Sequence, residues 1–426
     1  MNLDLNQLVK WRREFHRFPE IGWSEFWTTS RIADYLEDLG CFEIFLGKQI
    51  INPDFVRGRK QAVVDKGLAN AKAYGANEKW LEKMEGYTGC VALFDSGKPG
   101  KTIALRFDID CVNVTETRSS EHIPNKEGFA SINDGFMHAC GHDSHITIGL
   151  GVALWIAQNK DKLTGKVKIV FQPAEEDTGG AERLMKAGVF KKYNVDEVYG
   201  LHIHPDFPEG YIGCKAGYLM AQNGEIDVEI IGKSGHGAIP QNTIDGIIIG
   251  ANFVNSVQSI VSRNLNPMEG AVLTFGKMTA GSVRNIIAEN VKLEGTMRCF
   301  NPDIYDTMKR RLLEFAKGFE IAYNCKVNVT IDDGYLAVNN DENLFDEFVE
   351  AIGKEKITKT EPLMISEDFS YYQKEVPGLF FMQGARNEEK GFVNGLHSLK
   401  FDFNEDIMLD AIKTYVKVLK FKGSVE

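Results

Sequence analysis

The sequence predicts an α/β fold, a mostly parallel sheet with helices on both faces, into which a smaller α+β domain of split β-α-β type is inserted. Three observations predict it. Short apolar strands alternate with helices through the first half of the chain, the pattern of a parallel sheet covered on both sides. Near residue 217 the order becomes β-α-β-β-α-β, which forms a sandwich of its own. Beyond residue 333 helix-strand-helix alternation resumes. The expected division is 1–216 with 333–426 for the larger domain and 217–332 for the insert. A chain of 426 residues is also too long for one ordinary core.

Taken in order, "LVKWRREFHRFPE" reads as a helix stopped by Pro19, and "SEFWTTSRIADYLEDLG" as a second, with Ser24 as N-cap and Gly40 as its stop. The middle of the segment from about Gly47 to Tyr87, "RKQAVVDKGLANAKAYGANEKWLEKMEG", reads as helical. "KTIALRF", "KVKIVFQP" and "DEVYGLHIH" read as strands, and "HITIGLGVALWIAQN" as an apolar helix. In the insert, "GEIDVEIIG", "GAVLTFGKM", "IIAENVKLEGTMRCF" and "CKVNVTIDD" are strands. "TIDGIIIGANFVNSVQSIVSR" and "PDIYDTMKRRLLEFAKGFEIAYN" are helices. "EFVEAIG", "LFFMQGA" and "NEDIMLDAIKTYVKVL" close the chain as helix, strand and helix.

A net charge of −11 argues against nucleic acid and anionic membrane as partners. Seven scattered cysteines do not form a disulfide framework, no run approaches 18 apolar residues, and the first 16 residues lack the apolar core of a signal peptide. A cytoplasmic protein with reduced thiols is expected.

The stretch "MHACGHDSH" concentrates three of nine histidines and one of seven cysteines in nine residues. A polar turn is one reading. A metal site is the other, since imidazole and thiolate are good zinc ligands. Further candidates lie at strand ends, where an α/β sheet binds its ligands. "FQPAEED" offers Glu175, Glu176 and Asp177; "GLHIHP" offers His202 and His204; "GLHSLKFDF" offers His397; "RFDID" offers Asp108 and Asp110. Each alone equally suits a solvated turn or a structural side chain. Together, Cys140, His142, Glu176, His202 and His397 make five ligands, more than one tetrahedral zinc accepts. Two metals bridged by Cys140 account for the number.

"MHACGHD", "QPAEED", "GLHIHP", "GKSGHGAIP" and "LHSLKFDF" resemble, in order and over nearly the whole chain, the successive motifs of the dinuclear metalloaminoacylases, which include hippurate hydrolase and the indole-acetyl-amino-acid hydrolases. The resemblance implies a zinc-peptidase type catalytic domain and a lid/dimerisation domain. It implies hydrolysis of the amide bond of an N-acyl or N-aroyl amino acid by two divalent metal ions, Zn2+ or Mn2+, in a dimer. "WRREFHRFPEIGWSEFWTT", the segment from about Gly47 to Tyr87 with the following "MEGYTGCVALFDSGKPG", and "GFASINDGFMHACGHDSH" draw the likeness toward a branch acting on an aroyl-glutamate. A heteromer with a paralogous chain is an alternative to the homodimer.

Within that mechanism Glu175 is the expected general base and Glu176 the ligand. Asp110 either orients a ligating histidine or merely closes its strand. His236 is expected to reach the partner protomer's site and bind the oxyanion, the alternative being an exposed loop histidine. Asn285 and Arg298 are candidates for the substrate carboxylate, with Arg298 equally suited to an ordinary surface role. "RNIIAE" departs from the family pattern, placing Ile287 where a proline is expected. Tyr74, Trp80 or Tyr87 would stand near an aromatic acyl group if the Gly47–Tyr87 segment walls the pocket. The rival readings are a general N-acyl-amino-acid deacylase, a dipeptide peptidase and an inactive metal-binding regulatory protein.

Overall fold

The structure, a computed structural model, describes residues 3–192 and 194–424. The chain divides into two compact units. The first comprises Met1–Gly217, Asn339–Thr360 and Tyr371–Glu426. The second comprises Tyr218–Val338 together with Glu361–Ser370, a segment the sequence pattern leaves in the larger domain.

The first unit is built on an eight-stranded sheet in the order Glu43–Leu46, Cys90–Asp95, Lys166–Gln172, Thr102–Asp108, Glu197–Pro208, Gly378–Arg386, Ile212–Gly213, Ile357–Thr358. Its middle four strands pair in parallel. These are the four that the sequence predicts, and their near-continuous burial explains their apolar runs. Outside them, Cys90–Asp95 and Glu43–Leu46 add on antiparallel to the ladder, and Ile212–Gly213 pairs antiparallel with Gly378–Arg386. The helix His142–Asn159 is buried on almost every side, which is why it lacks an amphipathic stripe. It packs against Leu5–Arg17, Asp406–Phe421 and the strand Thr102–Asp108. Gly149 permits a close approach to the sheet: a Cβ there would lie 2.6 Å from Phe171 Cε1 and 2.8 Å from Phe107 Cδ2.

One expectation is corrected here. Ser24 does not cap the second helix, which runs Phe26–Leu39. Its hydroxyl donates to Ile21 O, and the helix's first amides, Trp27 N at 3.1 Å and Thr28 N at 2.8 Å, donate to the buried carboxylate of Glu20 instead. A carboxylate suits this place because the helix start carries partial positive charge. The Gly47–Tyr87 segment, in turn, forms two helices, Gln61–Ala73 and Glu78–Met84, separated at Gly75 and restarted by an Asn77 cap. Its aromatics make the following contacts. Trp80 is buried and donates to Asp34 Oδ1 at 2.8 Å, and the Tyr74 ring packs 5.0 Å from Phe18 while its hydroxyl donates to Asn133. Tyr87 lies under the Arg59 guanidinium at 5.0 Å.

The second unit carries a four-stranded antiparallel sheet, ordered Ala271–Ala280, Asn290–Cys299, Gln222–Ile231, Lys326–Asp333. Helices Gly246–Ser259 and Pro302–Tyr323 cover one face, so Ile226, Val228 and Ile230 are buried against residues such as Phe253 and Leu312 while the intervening side chains are not. Asp245 and Asn301 cap the two helices through their side chains. Among the described residues no helix is long and apolar enough to cross a membrane.

Trp80→Ala should destabilise the first unit by about 3–5 kcal/mol, the usual range for emptying a buried tryptophan site. Calorimetric melting checks this: a transition shifted by several degrees is expected, with Trp80→Phe falling in between, and an unshifted transition would show the indole to be dispensable.

Candidate metal centre

The carboxyl ends of the parallel strands deliver the site. The strand Thr102–Asp108 runs out into Asp110, Lys166–Gln172 into the glutamate pair, and Glu197–Pro208 carries His202. Between Cys140 and His142 stands Gly141, with φ 82°. A Cβ there would lie 2.3 Å from Ile203 Cδ1, so only glycine lets this corner lie against the neighbouring strand and send both ligand side chains inward. His397 arrives on a loop whose backbone N donates to Ala139 O at 2.8 Å. It has φ 60°, a left-handed conformation that a histidine adopts at a cost.

Among the groups of potential ligands whose donor atoms lie within 4.8 Å of one another are Cys140, His142 and His202, and Cys140, Glu176 and His397. They share Cys140. Its Sγ is 3.3 Å from His202 Nε2 and 3.3 Å from His397 Nε2, and the latter is 3.3 Å from Glu176 Oε1. Ligands on a tetrahedral zinc stand about 3.5 Å apart, given metal bonds of about 2.0–2.3 Å. The tautomers agree. His142 Nδ1 donates to Asp110 O at 2.9 Å, and His202 Nδ1 donates to Ile203 O, leaving each Nε2 as the nitrogen turned toward the cluster. His142 Nε2 is buried without a hydrogen-bond partner, a state that a cation would relieve.

Charge tells the same story. Burial and then Glu176 raise the Cys140 thiol well above its usual range. His142, although burial opposes it, is pushed up to about 10, chiefly by Asp108 and Asp110. Glu176 is lowered despite its burial, by His397 and His142. The thiol keeps its proton and His142 holds an extra one against the carboxylates; a metal ion would supply that positive charge instead and deprotonate the thiol. The residues fit a pair of divalent cations.

Asp110 touches two of the candidate ligands: besides the His142 bond, its Oδ2 accepts from Glu176 N at 3.0 Å. Glu175 is buried and groups with His142 and Glu176. The side chain of Asp177 lies outside the described residues. Sequence reasoning offered Asp108 only as a strand-end candidate and gave no role to Arg106, His145 or Glu25. Asp108 takes Arg106 on one oxygen at 2.6 Å and His145 Nδ1 on the other, and His145 Nε2 accepts from Ile203 N at 3.0 Å. His145 thus ties Asp108 at the end of one strand to Ile203 on the neighbouring strand that bears His202. The i,i+3 spacing of His142 and His145 was the available signal, since it sets them on one helix face. Glu25 is wholly buried, and burial followed by Asp110 raises its carboxyl. Behind Asp143, Arg12 and His16 form a further buried network: Arg12 Nε and His16 Nδ1 both meet Asp143 Oδ2 at 2.8 Å, and His16 Nε2 meets Glu116 at 3.1 Å.

The other three expected site residues belong to the second unit. His236 is exposed and lies opposite Ile286 in a two-residue ladder, in which Ile287, standing where proline was expected, faces Gly235. Gly237 N donates to Asn285 O at 2.9 Å, so His236 and Asn285 share a corner. Arg298 is apart from them in sequence and register. Its Nη1 donates to Met364 O at 2.9 Å and to Ser366 Oγ at 3.2 Å, holding the Glu361–Ser370 segment.

The fold and this cluster define a metallohydrolase, and residues 104–420 match Peptidase family M20/M25/M40. The chain belongs to that family. It is 53% identical over 431 residues to a Haemophilus influenzae protein described as a homolog of a p-aminobenzoyl-glutamate hydrolase subunit, covering 99% of both chains. It is 33% identical to the N-acetyldiaminopimelate deacetylase of Priestia megaterium, covering 98% of this chain and 99% of that one. Among solved structures, a Bacillus subtilis protein described as a dinuclear metal binding peptidase of the M20 family superposes with a TM-score of 0.77 at 26% identity, over 99% of each chain.

The His16 network yields a pH prediction. Against its own burial, Asp143 and Glu116 push His16 up to about 9. A raised pKa contributes stability that is complete below the ordinary histidine value of about 6.5 and is lost as pH climbs through 9. The melting temperature should therefore fall between pH 6.5 and about 9 more steeply in the wild type than in His16→Gln. Parallel curves for the two proteins would remove His16 from the account.

Proposed function

We propose that this protein is a metal-dependent amidohydrolase that cleaves p-aminobenzoyl-glutamate to p-aminobenzoate and glutamate, using two divalent cations, Zn2+ or Mn2+. The observation that carries the reading is the pair of ligand triads sharing Cys140, in a chain 53% identical to a homolog of a p-aminobenzoyl-glutamate hydrolase subunit. Cys140, His142 and His202 would hold one cation, and Cys140, Glu176 and His397 the other. When bound, the cations supply Lewis acidity toward the amide carbonyl and lower the pKa of water.

The chain's own residues do the rest. Glu175, buried beside Glu176, takes a proton from the attacking water and delivers it to the leaving nitrogen. Asp110 fixes the ring of His142 and the backbone of Glu176, so the base and the ligand next to it keep separate roles. His236 is the proposed donor to the developing oxyanion, reaching it from a second copy of the chain. Asn285 and Arg298 are the proposed partners of the substrate carboxylates. The active form is then a homodimer made through the second unit. The alternative is a heteromer with a paralogous chain, which the naming of the Haemophilus relative after one subunit of a hydrolase supports. Cysteines that are all free fit work in the cytoplasm.

A second reading, a broader N-acyl-amino-acid deacylase, is favoured by the likeness to an N-acetyldiaminopimelate deacetylase. The two separate in kcat/KM for p-aminobenzoyl-glutamate, p-aminobenzoyl-alanine, acetyl-glutamate and acetyl-diaminopimelate. A site built around the glutamate side chain should reject the alanine analogue by about a hundredfold or more, because a buried polar partner is left unpaired. Equal rates on all four would leave the amide chemistry and remove the substrate.

Metal content tests the site itself. Protein saturated with Zn2+ or Mn2+ should hold two ions per chain, and Cys140→Ala should fall short at both positions. Glu175→Ala should keep both ions and lose about 10²-fold or more in kcat, whereas Glu176→Ala should lose an ion first. An active Glu175→Ala protein with its metal intact would put the base elsewhere.

A further inference from the structure

The turn that presents Glu175 and Glu176 is unusual. Its leading residue, Ala174, is fully buried and sits at φ 54°, ψ 45°, the left-handed region that an alanine enters only when its surroundings insist. Two carboxylates grip the backbone on either side of Glu175. Asp110 Oδ2 accepts from Glu176 N at 3.0 Å, and Glu25 Oε1 accepts from Ala174 N at 2.8 Å. Glu25 Oε2 is fixed in turn by the hydroxyl of Thr88 at 2.6 Å. Next to Thr88, Gly89 N donates to Thr29 Oγ1 at 3.0 Å, and a Cβ on Gly89 would lie 2.6 Å from Pro173 Cδ. Thr88 and Gly89 follow directly on the Gly47–Tyr87 segment, so that segment ends by bracing the back of the catalytic turn.

We infer that Glu25 is a positioning residue: with Thr88 it clamps Ala174 in the left-handed conformation and thereby aims the Glu175 carboxylate. This rests on the reading of Glu175 as the general base. The link is geometric. If Ala174 relaxed toward a right-handed or extended backbone, the Cα–Cβ bond of Glu175 would swing, and hydrogen-bond reach to the water and the leaving nitrogen would be lost. Glu25 touches neither and acts only through the amide of Ala174.

Three variants test it, with kinetics, metal analysis and crystallography on the full-length protein. Glu25→Ala should lower kcat by about tenfold or more, the cost of leaving the buried Ala174 amide unsatisfied, while KM and two ions per chain persist. Glu25→Gln should stay close to the wild type, since its carbonyl can still accept from Ala174 and its amide can donate to Thr88. Adding Ala174→Gly to Glu25→Ala should restore much of the loss, because glycine takes a positive φ without being held there. A role limited to filling space would not be rescued by this change. Glu25→Ala at wild-type kcat, or a double variant as slow as the single one, would overturn the clamp. In crystals of Glu25→Ala, residue 174 should leave the left-handed region. An unchanged turn overturns the clamp whatever the kinetics, and a wild type inactive on every substrate overturns the functional reading while this backbone angle still judges the clamp.

Discussion

Cys140 sits where two sets of donor atoms overlap, and most of the first unit is arranged so that this overlap can exist in a buried place. A thiol, two imidazoles and several carboxylates cannot be packed together cheaply, since each charge moved out of water must be compensated. The strands solve the spatial half of the problem by ending at one level of the sheet. The backbone around them solves the rest, through Gly141 against Ile203 and the left-handed His397. Three of the candidate ligands are also held from behind: His142 by Asp110, His202 by the Ile203 carbonyl, Glu176 through its own amide. Rotamers locked in this way keep donor atoms at ligand spacing and limit reorganisation when a cation arrives.

The supporting layers form a graded series. Nearest the cluster stand Asp108, Asp110 and His145, all buried. Behind them, Arg12 ties the first helix to Asp143 and to Asp402 near the start of the last helix, at 2.8 Å each. An ion pair this deep is costly to form and far more costly to break by removing one member. Helix ends and site walls are thus stabilised by the same charges, and the termini of the unit are stitched to its centre.

Much of this was legible. The four central strands announced themselves because both their faces are buried, and the five candidate ligands because histidine, cysteine and acid clusters followed those strands. What the sequence concealed has physical causes. Ile212–Gly213 and Ile357–Thr358 are two residues long, too short for periodicity, and Cys90–Asp95 follows a glycine that reads as a break. Glu20 and Glu25 look like ordinary surface acids near a helix start. Only three-dimensional packing buries them and gives them backbone amides to hold. Trp80 and Tyr74 suggested a pocket wall because an aromatic in an extra segment carries no mark telling which side it faces; the structure turns Trp80 inward onto Asp34.

The connectivity of the cluster bears on how the protein is made. The contact between Cys140 and His202 closes a loop of 62 residues, whereas that between Cys140 and His397 spans 257. During synthesis the chain emerges from its N-terminus, and domains fold as units in that order. The first triad is complete in sequence once residue 202 has left the ribosome. The second waits for an entire intervening unit to be translated, and for Gly378–Arg386 to slide into the sheet beside Glu197–Pro208. Until then the nascent chain exposes a sheet edge at Glu197–Pro208, with Cys140 beside an incomplete half-site. An unpaired strand edge and a half-built thiol site are thus exposed over the same interval of biosynthesis.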